Sequence, residues 1–591
     1  MAEKTITKGG SYLIEEHATT DVFIPEELSE EQHMIGKTAE DFVKDRVLPV
    51  LEEIENHNFD HTVRLLQEAG ELGLLGADVP EAYGGLELDK ISSTLITEKI
   101  AQGRSFSLSL GAHVGIGTLP IVFFGTEEQK QKYLPPLATG EKLAAYALTE
   151  PGSGSDALGA KTVAKLSDDG KNYLLSGEKQ WITNSAFADI FVVYAKIDGE
   201  KFTAFIVEKD FPGVSTGPEE KKMGIKGSST RTLILDEARV PVENVLGEIG
   251  KGHLIAFNIL NIGRYKLGVG CVGSAKRALE LSAKYANERK QFKKPIAQFP
   301  LIQEKLATMA AKTFALESSI YRTGGLIEEG LSQLDGAAGT DTAKAIAEYA
   351  LECSITKVFG SEVLDYVVDE GVQIHGGYGF MQEYEIENMY RDSRINRIFE
   401  GTNEINRLLI PATLLRKAMK SELPLMEKTA GLQEELMMMM PTLSEEAPEL
   451  LETEGKMIEH AKKIFLMTAG LAVEKYQTKL ENEQEILRDV ADIAIEIFAM
   501  ESALLRAKKR VEQVGEEKAA TPIELTTAYV YEAFPLIEQK AKRILATMEE
   551  GDILRTQLSI LKKLTRFEPI NEVTLKRKIA ARILEEERYV V

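Results

Sequence analysis

Four short segments of the chain bring together residue types that can do chemistry. In Arg391–Arg407 (RDSRINRIFEGTNEINR), Glu400 stands between Ile398-Phe399 and Gly401-Thr402. Apolar neighbours disfavour the ionised form of a carboxyl group, so its pKa rises toward the range of a general base. A solvated glutamate at a helix end is the plainer alternative, since Glu400 is one of 93 acidic residues. The Gly-Thr that follows favours a loop, where functional side chains concentrate. Tyr146–Asp156 (YALTEPGSGSD) sets two glycines among hydroxyl and N–H donors. Such a loop can lay its backbone against a flat ring or a phosphate, or be an ordinary surface turn. The stretch Gly154–Thr162 misses the spacing of a phosphate-binding loop. Trp181, the only tryptophan, could stack on an aromatic cofactor with Thr183 bonding a ring edge, or be a core residue. Gln373–Gly379 (QIHGGYG) breaks a helical pattern and could receive a phosphate or nucleotide. His375 has no second histidine at metal-ligand spacing, so no metal site is expected.

The elements that must position these residues change character along the chain. Residues 1–30 are polar and read as a tail or a first short helix. Residues 31–141 carry apolar side chains at three- and four-residue spacing, a helical domain punctuated by Pro80, Gly84-Gly85 and the glycine-rich Gly111–Gly117. Residues 142–252 turn to short β-branched or alternating runs (Tyr173–Ser176, Ile190–Lys196, Thr203–Glu208, Thr232–Leu235), which predicts a small β domain. Helical spacing returns over 253–420, interrupted near Gly336–Gly339 and at His375–Gly379. It continues through 421–591 as long amphipathic stretches of a bundle. The expected fold is mainly α with a β domain between helical ones.

Composition narrows the function classes. With 591 residues, 43% hydrophobic and 28% charged, the chain reads as several globular domains. A net charge of −23 demotes nucleic-acid binding and electrostatic docking to an anionic membrane. Cys271 and Cys353 are the only cysteines, which fits a reducing compartment. The first twenty residues lack the apolar core of a signal peptide, and a cytoplasmic location is expected. The longest strongly apolar run is placed at Ile464–Val473, about half a membrane span.

Taken in order, the four segments resemble the acyl-CoA dehydrogenase family over about Glu31 to Lys420. Ala147–Asp156 matches its first signature and Gln373–Asp392 most of its second, with Asn388 where Lys or Arg is usual. The resemblance implies an N-terminal helical domain, a middle β-barrel and a C-terminal four-helix bundle, with FAD between the last two. It implies that Tyr146, Leu148, Thr149, Gly154 and Ser155 line the flavin or its phosphates, and that Trp181 and Thr183 cover its ring and reactive edge. Arg289, Phe292, Gln373, Gly376 and Gly377 match residues that hold the adenosine half of FAD in the neighbouring subunit, implying at least a dimer. Thr402 and Glu404 match nucleotide contacts. Glu400 matches the catalytic base, which some members carry instead near the position of Gly263. Arg264 matches an arginine shaping the pocket, and Asn261 and Ser155 match residues at the CoA entrance. The reaction implied is removal of the α-proton by Glu400 and of the β-hydrogen to flavin N5. A flavin ribityl hydroxyl and the Glu400 N–H polarise the thioester carbonyl. The product is a trans-2-enoyl-CoA of fatty acid β-oxidation, with electrons passing to an electron-transferring flavoprotein.

Chain length should follow from the far end of the acyl pocket. Medium-chain relatives carry glutamate at the position of Ala112. Here Gly111 and Ala112 leave that end open, and the stretch resembles the long- and very-long-chain type, as does Arg397–Asn403 with Phe399 and Gly401. The helical extension beyond Ser421 also matches that type, which implies a homodimer. Leu436–Pro441 (LMMMMP) and Ile464–Val473 are candidate peripheral membrane contacts, with buried bundle core as the alternative. Three other readings stand beside this one. One is an acyl-CoA oxidase that hands electrons to oxygen; a second is a related flavin monooxygenase or nitroalkane oxidase, less consistent with Glu400 in its full motif; the third is an assembly or scaffold protein that keeps a flavin fold.

Overall fold

Capping chemistry and apolar stripes set the helical framework, seen in a computed structural model that describes residues 6–334, 339–438 and 448–591. Ser29 accepts the Gln32 N–H and Gln32 returns a bond to the Ser29 N–H, a capping box that opens α1 (Glu30–Phe42). After α2 (Leu51–Glu55) and α3 (Phe59–Glu71), Asp89 caps α4 (Lys90–Ile100). The helix α5 (Ser105–Gly111) passes through a π-helical stretch, Ala112–Gly117, into α6 (Leu119–Phe124), and α7 (Glu127–Thr139) closes the first domain.

The middle domain is one sheet of eight strands: β1 (Ala144–Ala147), β2 (Val163–Leu166), β3 (Asn172–Thr183), β4 (Ile190–Ile197), β5 (Lys201–Glu208), β6 (Val214–Thr216), β7 (Thr230–Pro241) and β8 (Val245–Leu246). The strand order is β6-β7-β3-β2-β4-β5-β8, and β1 pairs parallel with β4. Strand β4 is apolar on both faces. Phe191, Val193 and Ala195 fill the sheet's own core, while Ile190, Val192 and Tyr194 join the core shared with the helices. Alternation with period 2 thus welds the β domain to the helical body.

The bundle follows as α8 (Gly252–Glu288), a two-strand ribbon β9 (Lys290–Gln291) and β10 (Lys294–Pro295), α9 (Pro300–Ser332), α10 (Gly339–Glu348), α11 (Ala350–His375), α12 (Glu385–Ser393) and α13 (Asn403–Met419). Of the interruption expected near Gly336–Gly339, only Gly339 lies within the described residues, where it opens α10. The extension comprises α14 (Leu425–Met438), α15 (Glu452–Tyr476), α16 (Gln484–Val514), α17 (Ala520–Met548), α18 (Gly551–Leu564) and α19 (Glu572–Glu586). The fold is mainly α with a β domain, as the sequence pattern predicts.

Two expectations are revised, and for the membrane candidates the bundle-core alternative holds where side chains are described. Residues 6–28 are not a free polar tail. They form short 3-10 turns whose Tyr12, Leu13, Val22 and Ile24 are buried, and the Tyr12 hydroxyl donates to Ala494 O in α16 at 2.9 Å. Among the described residues the segment long and apolar enough to cross a membrane is Ser105–Phe124, of mean hydropathy 1.5; with 78% of its most apolar window buried, it is a core segment. Ile464–Val473 lies in α15 with Ile464, Phe465 and Ala472 buried, so it is bundle core rather than a membrane-facing face. In the second membrane candidate Leu436 is buried, and Met439–Pro441 lie outside the described residues.

Buried charge ties these parts together. Arg506 of α16 donates to Glu317 of α9 at 2.7 Å and to Glu26 at 2.8 Å. Lys276 of α8 pairs with Glu98 of α4 and with the same Glu317, which also accepts from Tyr589.

Candidate active site

Glu400 lies in the turn between α12 and α13, with φ of +58°, and Gly401 follows at +78°. A non-glycine residue in left-handed backbone is uncommon and persists where its surroundings hold it. Three side chains hold this one. Arg264 Nε donates to Glu400 O at 3.2 Å. Asn406 Nδ2 lies within hydrogen-bonding distance of Glu400 O, Gly401 O and Thr402 O, at 3.3, 2.9 and 3.1 Å. Lys357 Nζ donates to Gly401 O at 2.7 Å. Thr402 then caps α13 by accepting the Ile405 N–H. Among the described residues, no hydrogen bond takes up the Glu400 N–H.

The residue as a whole is half-buried, but its carboxylate is interior, and Oε2 is inaccessible with no hydrogen-bond partner. Burial pushes the carboxyl up to about 7, against the pull of Arg264 and Lys357. The carboxylate faces α8 at Gly263, where a Cβ would stand 2.7 Å from Oε2. Gly263 therefore abuts the Glu400 carboxylate, and glycine is what the close approach permits. Arg264, one residue on, also bonds Asn261 Oδ1 at 3.1 Å.

From Glu400 a cavity runs between α4, α5, the π-helical stretch, α8 and α12. Thr183 and Phe399 lie at its head with Glu400, and Leu108, Leu110, Gly111, Ala112, Ile116 and Leu267 are among its apolar walls. On α8 it follows the stripe Gly263, Leu267, Gly270, Cys271, Ser274, Arg277. Fourteen helical residues correspond to about 21 Å at about 1.5 Å each. Arg277 at that end is held by Glu385 through two bonds of 3.1 and 2.7 Å.

The residues expected at a cofactor fall in two places. Thr183 lines the first cavity, and Trp181, with φ of +60°, is 59% exposed two residues before it. Gly154 and Ser155 are exposed, and Leu148 is buried. The Tyr146 hydroxyl points inward without a partner, its ring edge-on to Tyr194. A second cavity is lined by Tyr285, Arg289, His375, Gly376, Gly377 and Tyr378. Gln373 and Phe292 are exposed and do not line it. Glu404 is exposed in the first turn of α13. His375 stacks on Tyr285 at 4.2 Å while its Nδ1–H donates to Gly371 O. Asn388 accepts from Arg104 at 3.0 Å. Lys357, Asn403 and Asn406 escaped notice in the sequence. The one available signal was a lysine between Ile355 and Val358-Phe359.

Sequence models of the acyl-CoA dehydrogenase N-terminal, middle and C-terminal domains match residues 29–141, 145–238 and 250–415. A further acyl-CoA dehydrogenase C-terminal domain model matches 460–563. A probable acyl-CoA dehydrogenase of Bacillus subtilis (strain 168) is 65% identical over 100% of both chains. The chain belongs to the acyl-CoA dehydrogenase family. The human mitochondrial very long-chain specific acyl-CoA dehydrogenase is 35% identical over 92% of this chain and 85% of its own. A crystal structure of an acyl-CoA dehydrogenase complexed with FAD from Bacillus anthracis superposes with a TM-score of 0.97, 66% identity and coverage of 99% and 100%. Butyryl-CoA dehydrogenase from Megasphaera elsdenii covers only 66% of this chain with 99% of its own, at TM-score 0.60 and 37% identity. The extension thus sets this member of the family apart from the shorter type and aligns it with the long one.

Proposed function

We infer that this dehydrogenase oxidises long-chain fatty acyl-CoA to trans-2-enoyl-CoA, with Glu400 as the base. The observation that carries the reading is a carboxylate with a pKa near 7, unpartnered at the head of an apolar channel about 21 Å long on α8 spacing. Saturated carbons joined by bonds of about 1.5 Å advance about 1.3 Å each in an extended chain, so the channel accommodates about sixteen.

The residues present fit FAD. An exposed indole beside Thr183 offers a stacking face at the channel head, and open space above Gly154 admits close approach. Arg289, Gly376 and Gly377 at the second cavity suit the adenosine half of a cofactor bound by another copy. The exposed Phe292, Tyr378, Phe380 and Met381, which include and flank that cavity's residues, support a homodimer. FAD, when bound, supplies the acceptor for the β-hydrogen and its electron pair. This chain's own work is to hold the thioester so that the Glu400 N–H meets its carbonyl oxygen, which acidifies the α-carbon. The Glu400 carboxylate then takes the α-proton, and the channel walls exclude water from the exchange. Electrons leave to an electron-transferring flavoprotein in fatty acid β-oxidation. A reducing, cytoplasmic setting accords with Cys271 and Cys353 being free and buried.

Anaerobic titration of the holoenzyme with acyl-CoAs tests the reading. Glu400→Gln should retain FAD yet fail to bleach with palmitoyl-CoA; full bleaching removes the base assignment. Palmitoyl-CoA should outperform octanoyl-CoA, and the reverse order discards the long channel. Peroxide release in place of flavoprotein reduction would make it an oxidase.

A further inference from the structure

We propose that Lys357, in the middle of α11, is a positioning residue for Glu400, fixing the turn that carries the base and supplying the positive charge behind it. The proposal rests on Glu400 being the base and goes beyond it in naming what holds and tunes it. Lys357 is fully buried. Its ammonium donates to Gly401 O at 2.7 Å and to Asn403 Oδ1 at 2.7 Å. Asn403 is itself clamped by Ser361 Oγ at 3.0 Å and Glu362 Oε1 at 3.1 Å. Glu362 in turn is held by Arg407 through bonds of 2.6 and 2.8 Å. The lysine is therefore locked from its own helix and from the first turns of α13, and it grips the carbonyl immediately after the base.

A buried cation without a carboxylate in contact is costly, and structures rarely keep one without a use. Among the described residues Lys357 forms no ion pair. The charged and titratable groups it faces are Glu400 in the turn, Cys271 and Arg264 on α8, and Glu362 on α11. Burial lowers Lys357 itself to about 8. Two consequences follow from this placement. The bond to Gly401 O fixes the peptide plane after Glu400, and with it the left-handed turn that aims the carboxylate and its N–H. The charge favours the ionised carboxylate, the form able to take a proton, in a site whose burial opposes it.

The test is the pH dependence of anaerobic flavin bleaching by palmitoyl-CoA in the holoenzymes. In the wild type the rate should rise through about pH 7, where Glu400 ionises. Lys357→Met should move that midpoint upward by about one pH unit, so that the rate near pH 7 falls about fivefold and recovers at higher pH. Lys357→Arg, which keeps the charge, should restore the midpoint in part. If Lys357→Met does not fold, Lys357→Gln, which is neutral and still a donor, should show the same upward shift. An unmoved midpoint in the neutral variants, with or without a lower plateau, overturns the proposal and leaves Lys357 a structural residue. Bleaching by Glu400→Gln would instead overturn the base assignment beneath it, so the two failures are distinguishable.

Discussion

Gly263→Ala isolates the position of Glu400, the proposed base, from everything else in the site. The added Cβ would stand 2.7 Å from Glu400 Oε2, 2.9 Å from Cδ and 3.2 Å from Oε1, whereas ordinary contact begins at 3.4 Å. The carboxylate must retreat by the difference, about 0.7 Å, and its neighbours leave few directions. Arg264 and Asn406 hold the Glu400 carbonyl, and Lys357 holds the next one. A misplacement of about 1 Å costs on the order of a hundredfold in rate, so the expected loss is about 10- to 100-fold. The helix itself should not suffer, because alanine in a helix interior is favoured over glycine by about 0.5–1 kcal/mol. Single-turnover bleaching of the flavin under anaerobic conditions reads the chemical step apart from binding and release. Calorimetry on the same sample should give an unchanged or slightly raised Tm. A variant that reduces its flavin within about twofold of the wild-type rate refutes the placement of Glu400 against α8.

Further outcomes are expected elsewhere. Ala112→Glu puts a carboxylate into the buried wall of the channel, so bleaching by palmitoyl-CoA should fall at least about tenfold while octanoyl-CoA is less affected; equal losses for both would place Ala112 off the acyl path. Arg506→Met leaves Glu317 and Glu26 without their shared cation, a loss of about 3–5 kcal/mol. Thermal unfolding should show it as a clearly lowered Tm, and an unchanged Tm would mean that Lys276 alone neutralises Glu317.

The buried Glu400 carboxylate was legible because its surroundings are local: apolar residues before it and Gly-Thr after it lie within a few positions in the chain. The β runs were also legible, since alternation marks strands wherever one face is buried. The runs read from sequence covered only parts of β3 and β7. Both strands extend through polar residues, and their pairing carries irregularities between Leu175 and Gly177 and between Lys179 and Ile182 that break the alternation. Lys357 was not legible. Its partner Gly401 is 44 residues away, and a lone lysine between Ile355 and Val358-Phe359 reads equally as a snorkelling side chain. The N-terminal turns were missed for the same reason on a larger scale. Polar composition suggested a tail or a first short helix, while Tyr12 finds its acceptor 482 residues on.

The site also shows how a carboxylate can be both buried and poised. Glu150 offers a comparison within the same chain. Lys179 bonds it directly at 2.6 Å, and the carboxyl is drawn down to about 2. A base with that pKa would be ionised at every working pH but too weak to take an α-proton. Glu400 has two cations close by, yet neither bonds its carboxylate. Arg264 and Lys357 are both turned onto backbone carbonyls, of Glu400 itself and of Gly401. Their charge offsets part of the cost of burial without capturing the oxygens, and the pKa settles at about 7 rather than at either extreme. Moving either cation by one bond, from carbonyl to carboxylate, would turn Glu400 into another structural ion pair like that of Glu150.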